Sequence, residues 1–474
     1  MRKKNKIWKG AMLGIFLILG LGCDLFQESS VSPEEVFVKF YGEEGKEQAV
    51  DFAKVEGGYL LLGYTNSSGI LNKGEEDPQD IADGEADIYL ILTDEAGNEQ
   101  NSFTYTHEAP DIINTGGEKE AVHSRDIPAA LMPTSDGNFI ILATSTYRVN
   151  HGVGTTALQS DILLIRVDYT GKELSRQIYG KKTENIRGTE TLANEIAVDI
   201  VELEDGLVIV GTTNIVDTLK STYASSRAEI DLLDVFLFKI SKDAQERIIW
   251  ERKHGYGGED QAVSAIADEN EVVVLARTDA ESETNGGGKN ILFFKVDRFG
   301  SVIAARTLGQ DGDEEPAHIS RLANNDYTLT GSYIASGTEL SFLYRIFGDS
   351  PTNEIYGLGR GSNRTLSLTV AETNPPGYWL VGQLKDFKRG TVSKGSEILL
   401  IRLGQTGTVL EEYGDAEVGG VHYGGIEDDE AVKAIELSNG EVVVFGTLGF
   451  EGGSSMMCLL KCNKRGELKQ NVLP

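Results

Sequence analysis

The chain has 474 residues, with 44 Lys and Arg against 74 Asp and Glu, a formal net charge of −30 at pH 7. So acidic a surface repels nucleic acid, and no nucleic-acid partner is expected. With 55 Gly, 10 Pro and 3 Cys, it is neither a disordered nor a disulfide-dense chain, and its length suffices for one large repeat architecture or several ordinary domains.

In chain order the first element is an export signal. Five cations (Arg2, Lys3, Lys4, Lys6, Lys9) precede an apolar run from Ala11 to Leu21, which is too short for a good membrane span. The run ends at Gly22-Cys23, a small residue before a Cys, as in bacterial lipoprotein signals. We therefore expect residues 1–22 to be a lipoprotein signal peptide, Cys23 to be the lipidation site and residues 23–35 to be a short tether. Gly20 stands where such signals prefer Leu, three before the Cys. Removing residues 1–22 takes the net charge from −30 to −35.

Residues 36–474 carry an internal repeat of four β-rich segments in fixed order. Segment b follows a Gly-containing turn and ends near a small residue: Gly63, Ala143, Gly211, Ala276, Gly331, Gly382 and Gly446. Segment c is exemplified by DILLIRVDYTG (161–171) and returns as NILFFKVDRFG (290–300), EILLIRLGQTG (397–407) and MMCLLKCNKRG (456–466). Segment d often ends in an aromatic and a Gly, as in LSRQIYG (174–180) and VLEEYG (409–414). Segment a carries an acid, one residue, then Ala: EQAVDFAKV (47–55), EIAVDIVEL (195–203), DQAVSAIA (260–267) and EPAHISRL (315–322). In EAVKAIEL (430–437) the acid is adjacent to the Ala, and the copies near 127–132 and 365–371 are degraded.

No helical period competes with this pattern, and seven sets of four strands predict an all-β, seven-bladed β-propeller of four-stranded antiparallel blades. Six repeats separate Gly63 from Gly446, about 64 residues each, so the excess over the common propeller period is loop. VFVKFYG (36–42) and ELKQNVLP (467–474) both read as d segments, and one of them closes the ring. Arg166, Lys239, Lys295, Arg345, Arg402 and Lys461 recur at one place in segment c, with Leu92 in the first copy. We read them as strand-end bases paired with the acid of segment a, in preference to a functional ring of cations. Cys458 and Cys462, on one face of a strand and about 13 Å apart, are too distant for a disulfide and read as buried thiols.

The order acid-x-Ala, Gly turn, small residue, D-x-x-L-x-K-x-D-x-x-G and YGG resembles the propeller-repeat lipoproteins common in Bacteroidota, over about residues 36–474. The chain departs from them in lacking most d-segment Trp residues, with Trp250 alone in that place. The resemblance implies the fold and a location in the cell envelope, as an outer-membrane lipoprotein held by its N-terminal lipid. It implies no reaction.

Long connections fall between b and c (66–86, 147–160, 214–233, 279–289, 385–396) and between d and a (105–120, 181–194, 415–428), all expected on one face. There we expect a protein or glycan partner. The fragments GEED (74–77) and DGDEEP (311–316) match no twelve-residue Ca²⁺ loop and read as solvated acidic loops. His107, His123, His151, His254, His318 and His422 show no ligand spacing, and G-x-S-x-G and H-E-x-x-H do not occur. No catalytic, cofactor or metal residues are assigned. The sequence reads as a noncatalytic binding lipoprotein. The alternative is a secreted propeller enzyme, a hydrolase or lyase acting on polysaccharide or peptide, for which segment a, lining the channel, shows no irregular carboxylate pair.

Overall fold

Seven four-stranded antiparallel sheets succeed one another along the chain as blades of a β-propeller. The computed structural model describes residues 36–67, 86–113, 119–120, 122–150, 156–180, 184–186, 189–191, 193–214, 233–243, 245–255, 258–279, 288–310, 312–322, 326–347, 350–373, 375–385, 388–389, 392–393, 395–415, 417–425 and 427–469. Residues 1–35, on which the expected signal peptide, Cys23 and the expected tether fall, lie outside them. Strand a of blades 1 to 7 is Glu47–Val55, Arg125–Pro133, Glu195–Leu203, Asp260–Asp268, Asp313–Arg321, Ser362–Ala371 and Glu430–Glu436. These strands are innermost and pack on one another around a central channel; b, c and d follow outward.

Alternation along the strands explains why blades need neighbours. In blade 1, Tyr59 and Leu61 of strand b join the core shared with blade 7, whereas Leu60 and Leu62 join the core shared with blade 2. The same split recurs in blade 3, with Leu207 and Ile209 facing blade 2 and Val208 and Val210 facing blade 4. Both faces of a blade are therefore apolar, and ring closure buries the two that would otherwise be terminal.

The N-terminal strand closes the ring. Phe37–Tyr41 pairs with Ser455–Cys462 as the outermost strand of blade 7, in the register Phe37 to Lys461 through Tyr41 to Met457. ELKQNVLP does not take that place; residues 467–469 form no strand and 470–474 lie outside the described residues. Cys458 and Cys462 are free and fully buried in this blade, as expected.

A β-bulge interrupts every strand a at one equivalent position, between Ala49 and Asp51 in blade 1 and between Ala431 and Lys433 in blade 7. Opposite it lies the small residue of segment b. A Cβ on Gly63 would meet the Gln48 carbonyl at 2.2 Å, and one on Gly446 the Glu430 carbonyl at 2.2 Å. The bulge drives that carbonyl toward strand b, and a small residue gives it room.

Pairing with the small residue of strand b also corrects the register read from sequence. The buried acids at the head of strand a are Glu47, Asp126, Glu195, Asp260, Glu314 and Asp429, with Asn363 in blade 6. The equivalents are thus Glu314 and Asp429, not Glu315 and Glu430. Each holds the crossover leading into its strand: Glu314 accepts the Gln310 amide at 2.9 Å and Asp429 the Gly425 amide at 2.6 Å. The glycine ending segment d makes space for the acid, since a Cβ on Gly42 would lie 2.2 Å from Glu47 Oε2. DGDEEP is accordingly no solvated loop. Its Asp313 starts strand a, and Glu315 pairs with Arg277 and Lys289.

The aromatic of segment d reaches the c–d turn of the next blade. Tyr41 donates to the Gly97 carbonyl at 2.7 Å, Tyr179 to that of Glu246 at 2.8 Å, and Trp250 Nε1 to that of Arg298 at 2.9 Å. Tyr105 and Tyr423 do the same to Gly171 and Gly466. Blade 6 departs from the pattern. VLEEYG (409–414) is not its strand d, which is the three-residue Val421–Tyr423. Residues 405–420 therefore form a c–d connection, and part of the segment 415–428 lies on the face opposite to the one expected.

Candidate functional site

The residue after each bulge turns toward the channel, giving a ring of Asp51, Ala130, Asp199, Ser264, His318, Ser367 and Lys433 from blades 1 to 7. Position for position this ring is irregular, contrary to the uniform segment a read from sequence. His318 joins this column because Pro316, and not Ala317, sits opposite the small residue Gly331. Lys433 Nζ lies 2.6 Å from Asp51 Oδ1, joining the last blade to the first. Asp51 also accepts the Leu131 amide of blade 2 at 2.9 Å, and Asp199 accepts the Ala265 amide of blade 4 at 2.8 Å. The ring acids thus tie successive blades together.

Electrostatically the four ionisable members form one group. Burial raises the Asp199 carboxyl to about 6, with Asp51 adding to the rise and Lys433 opposing it. Burial lowers the His318 imidazole to about 4, helped by the Lys433 charge and opposed by Asp51. His318 is therefore neutral at pH 7, with Nδ1 3.2 Å from Ser320 Oγ. A neutral imidazole and a carboxyl titrating near neutrality share a channel with an ammonium–carboxylate pair. Asp199 is nevertheless held by the amides of Ile200 and Ala265, both at 2.8 Å.

The other sequence-marked residues disperse. His107 is half-buried beside Tyr147, and its pKa is lowered by burial. His422 Nδ1 lies 2.5 Å from Glu397 Oε2, His254 packs against Phe294, and His123 is exposed. His151, Cys23 and GEED lie outside the described residues. Among the described residues no group of three His, Cys, Asp or Glu is placed to hold a metal ion.

Four of the six segment c bases are paired, but with a different acid from the one expected. Arg166 reaches Asp136 at 3.4 Å, Arg345 reaches Asp326 at 3.5 Å, Lys461 reaches Glu441 at 3.1 Å, and Lys239 pairs with Asp205. All four acids sit in the a–b turn of the same blade. The acid of segment a cannot serve, because it lies at the far end of the blade from these bases.

Three two-stranded ribbons lie outside the blades: Ile112–Ile113 with Lys119–Glu120, Glu184–Ile186 with Thr189–Thr191, and Lys388–Arg389 with Val392–Ser393. Each falls in a d–a or b–c connection, so all share one face. Strands b and c of blade 2, Phe139–Asn150 and Thr156–Val167, also run on beyond the blade toward that side.

No protein-family model matches the chain, and no curated protein matches it. Among solved structures it is similar to the sialidase of Trypanosoma rangeli in complex with the inhibitor DANA, at 12% identity and TM-score 0.42, over 75% of this chain and 58% of the sialidase. It is also similar to a puromycin hydrolase (12% identity, TM-score 0.42, 87% and 53% covered) and to a Penicillium chrysogenum α-L-arabinanase (12%, 0.37, 71% and 93%). The chain thus spans little more than half the length of the sialidase and the puromycin hydrolase. The likeness is one of fold and gives no residue a role.

Proposed function

We propose that this protein is an envelope-anchored, noncatalytic β-propeller that captures a protein or glycan through the face bearing the b–c and d–a connections. The observation that carries this reading is the gathering of all three accessory ribbons on that face of a rigid ring. Anchoring rests on the basic and apolar leader ending at Gly22-Cys23. The reading is tested by replacing 66–86 and 214–233 with two-residue turns, which removes no blade strand. Capture of partners from native-cell extracts and on glycan arrays should be lost while the melting temperature holds; retained capture by the folded variant rejects it. Cys23→Ala should leave the membrane fraction and stop incorporating labelled fatty acid.

The enzymatic alternative gains one observation, the presence around the channel of Asp199, raised toward neutrality by burial, and of His318, kept neutral by burial. If hydrolysis of a polysaccharide or peptide is detected and abolished by Asp199→Asn in a folded protein, the noncatalytic reading fails.

A further inference from the structure

Blade 6 breaks a rule that blades 2, 3, 5 and 7 obey. There the segment c base meets a carboxylate in the a–b turn of its own blade. In blade 6 Pro376 stands directly before strand b, where blades 3, 5 and 7 have Asp205, Asp326 and Glu441, and the acid of that turn, Glu372, is exposed at its other end. Arg402 is 2% exposed, and among the described residues its guanidinium donates only to carbonyls: Tyr378 at 3.2 Å, Leu403 at 3.0 Å, and Pro375. Carbonyl dipoles satisfy its N–H groups without cancelling its charge, and a buried charge lacking a counter-charge is costly. Glu436, whose charge acts on Arg402, is engaged by the Glu372 amide and by the amide and hydroxyl of Thr373.

A second departure coincides with the first. Where other blades continue into strand d, the displaced segment 405–420 brings Tyr413 over this arginine. Arg402 lies 5.3 Å from the Trp379 ring and 5.7 Å from the Tyr413 ring, and Arg465 approaches Tyr413 at 5.8 Å. The result is an open cavity of about 520 Å³ lined by Thr373, Arg402, Tyr413, Ser438, Asn439, Lys464 and Arg465. Lys464 and Arg465 are exposed at its rim, in the c–d turn of blade 7. Lys464 has no ion-pair partner among the described residues, and Glu467 stands 3.9 Å from Arg465 at the edge of ion-pair range. Three cations without acidic lining are a local inversion in a chain of net charge −30.

From these two departures we infer that the cavity between blades 6 and 7, on the a–b/c–d face, binds a small oxyanion ligand: a carboxylate, sulfate or phosphate carried on an uncharged polar body. The anion supplies the counter-charge that is missing at the place of Pro376, with Lys464 and Arg465 as the reachable donors and Arg402 as the fixed positive floor. The Tyr413 ring and the amide and hydroxyls of Asn439, Ser438 and Thr373 suit a polyol such as an acidic sugar. This face is opposite to the proposed partner face, so the two readings fail independently.

The test is calorimetric titration of the full chain with glucuronate, inorganic phosphate and sulfate at low ionic strength, with glucose as the uncharged control. Saturable binding of at least one anion and none of glucose is expected. Lys464→Gln with Arg465→Gln changes only exposed turn residues and should weaken binding about tenfold. Pro376→Asp restores the turn acid found in the other blades; it should raise the melting temperature of the unliganded protein and abolish binding. Stronger binding of glucuronate than of phosphate or sulfate supports a sugar acid, and equal binding supports recognition of the oxyanion alone. Absence of saturable binding to all three anions, or equal affinity in the wild type and both variants, overturns the inference.

Discussion

Lys433 Nζ and Asp51 Oδ1, 382 positions apart in the chain, lie 2.6 Å from each other across the interface that closes the ring. Asp51 also receives the Leu131 amide, so one carboxylate links blades 7, 1 and 2. Lys433→Met removes only a partly exposed ion pair and should cost about 1 kcal/mol or less. Asp51→Ala also strands an amide and a cation and should cost about 2–3 kcal/mol. Urea melts of both variants check the order. NMR titration adds a second check: the His318 pKa, low chiefly through burial and next through Lys433, should rise in Lys433→Met and fall in Asp51→Asn.

Deleting residues 24–42 removes the outermost strand of blade 7 and exposes the edge of Ser455–Cys462, whose central residues are fully buried. The melting temperature should fall by many degrees, or the protein should aggregate. An unchanged melting curve would mean that the C-terminal residues can close the ring unaided.

Stability should rise on moving from about pH 8 toward about pH 5. Burial raises Asp199 to about 6, Glu314 to about 7 and Asp429 to about 6, so the folded state holds protons that the unfolded chain has released. Their stabilising contribution is complete below the ordinary carboxylate range and is lost as pH rises through these folded values. Below about pH 4 the trend should reverse, as Asp136 and Asp205, held low first by hydrogen bonds from Thr134 and Lys239, become protonated. Calorimetric scans across pH should show this maximum; a monotonic rise to pH 8 would contradict it.

Tyr41→Phe and Tyr179→Phe each delete one link between a strand d and the next blade's turn. Each should cost about 1 kcal/mol without altering the fold, read from urea midpoints at constant m. The two positions lie in different interfaces, so the double variant should be additive.

The number, order and class of the strands were legible in the sequence, because alternation of side chains and the glycines of tight hairpins act over a few neighbouring residues. The string DILLIRVDYTG is a strand and a turn wherever it is placed, and seven copies in order leave little besides a propeller. The choice of Phe37–Tyr41 over ELKQNVLP, by contrast, was made by closure, since both have the pattern of an edge strand in the sequence and only one position was open. Closure likewise decided that Asp51, Asp199, His318 and Lys433 share a channel, for nothing local links residues on blades 1, 3, 5 and 7. Pairing with strand b reassigned the buried acids from Glu315 and Glu430 to Glu314 and Asp429, because Pro316 and Ala431 sit opposite Gly331 and Gly446 and the acid on their face lies two residues before them. The base of segment c was visible as a recurrence, but its partner was fixed by antiparallel geometry, which sets the end of strand c beside the a–b turn. That geometry shows Arg402 to have Pro376 at the place where Lys239, Arg345 and Lys461 meet an acid.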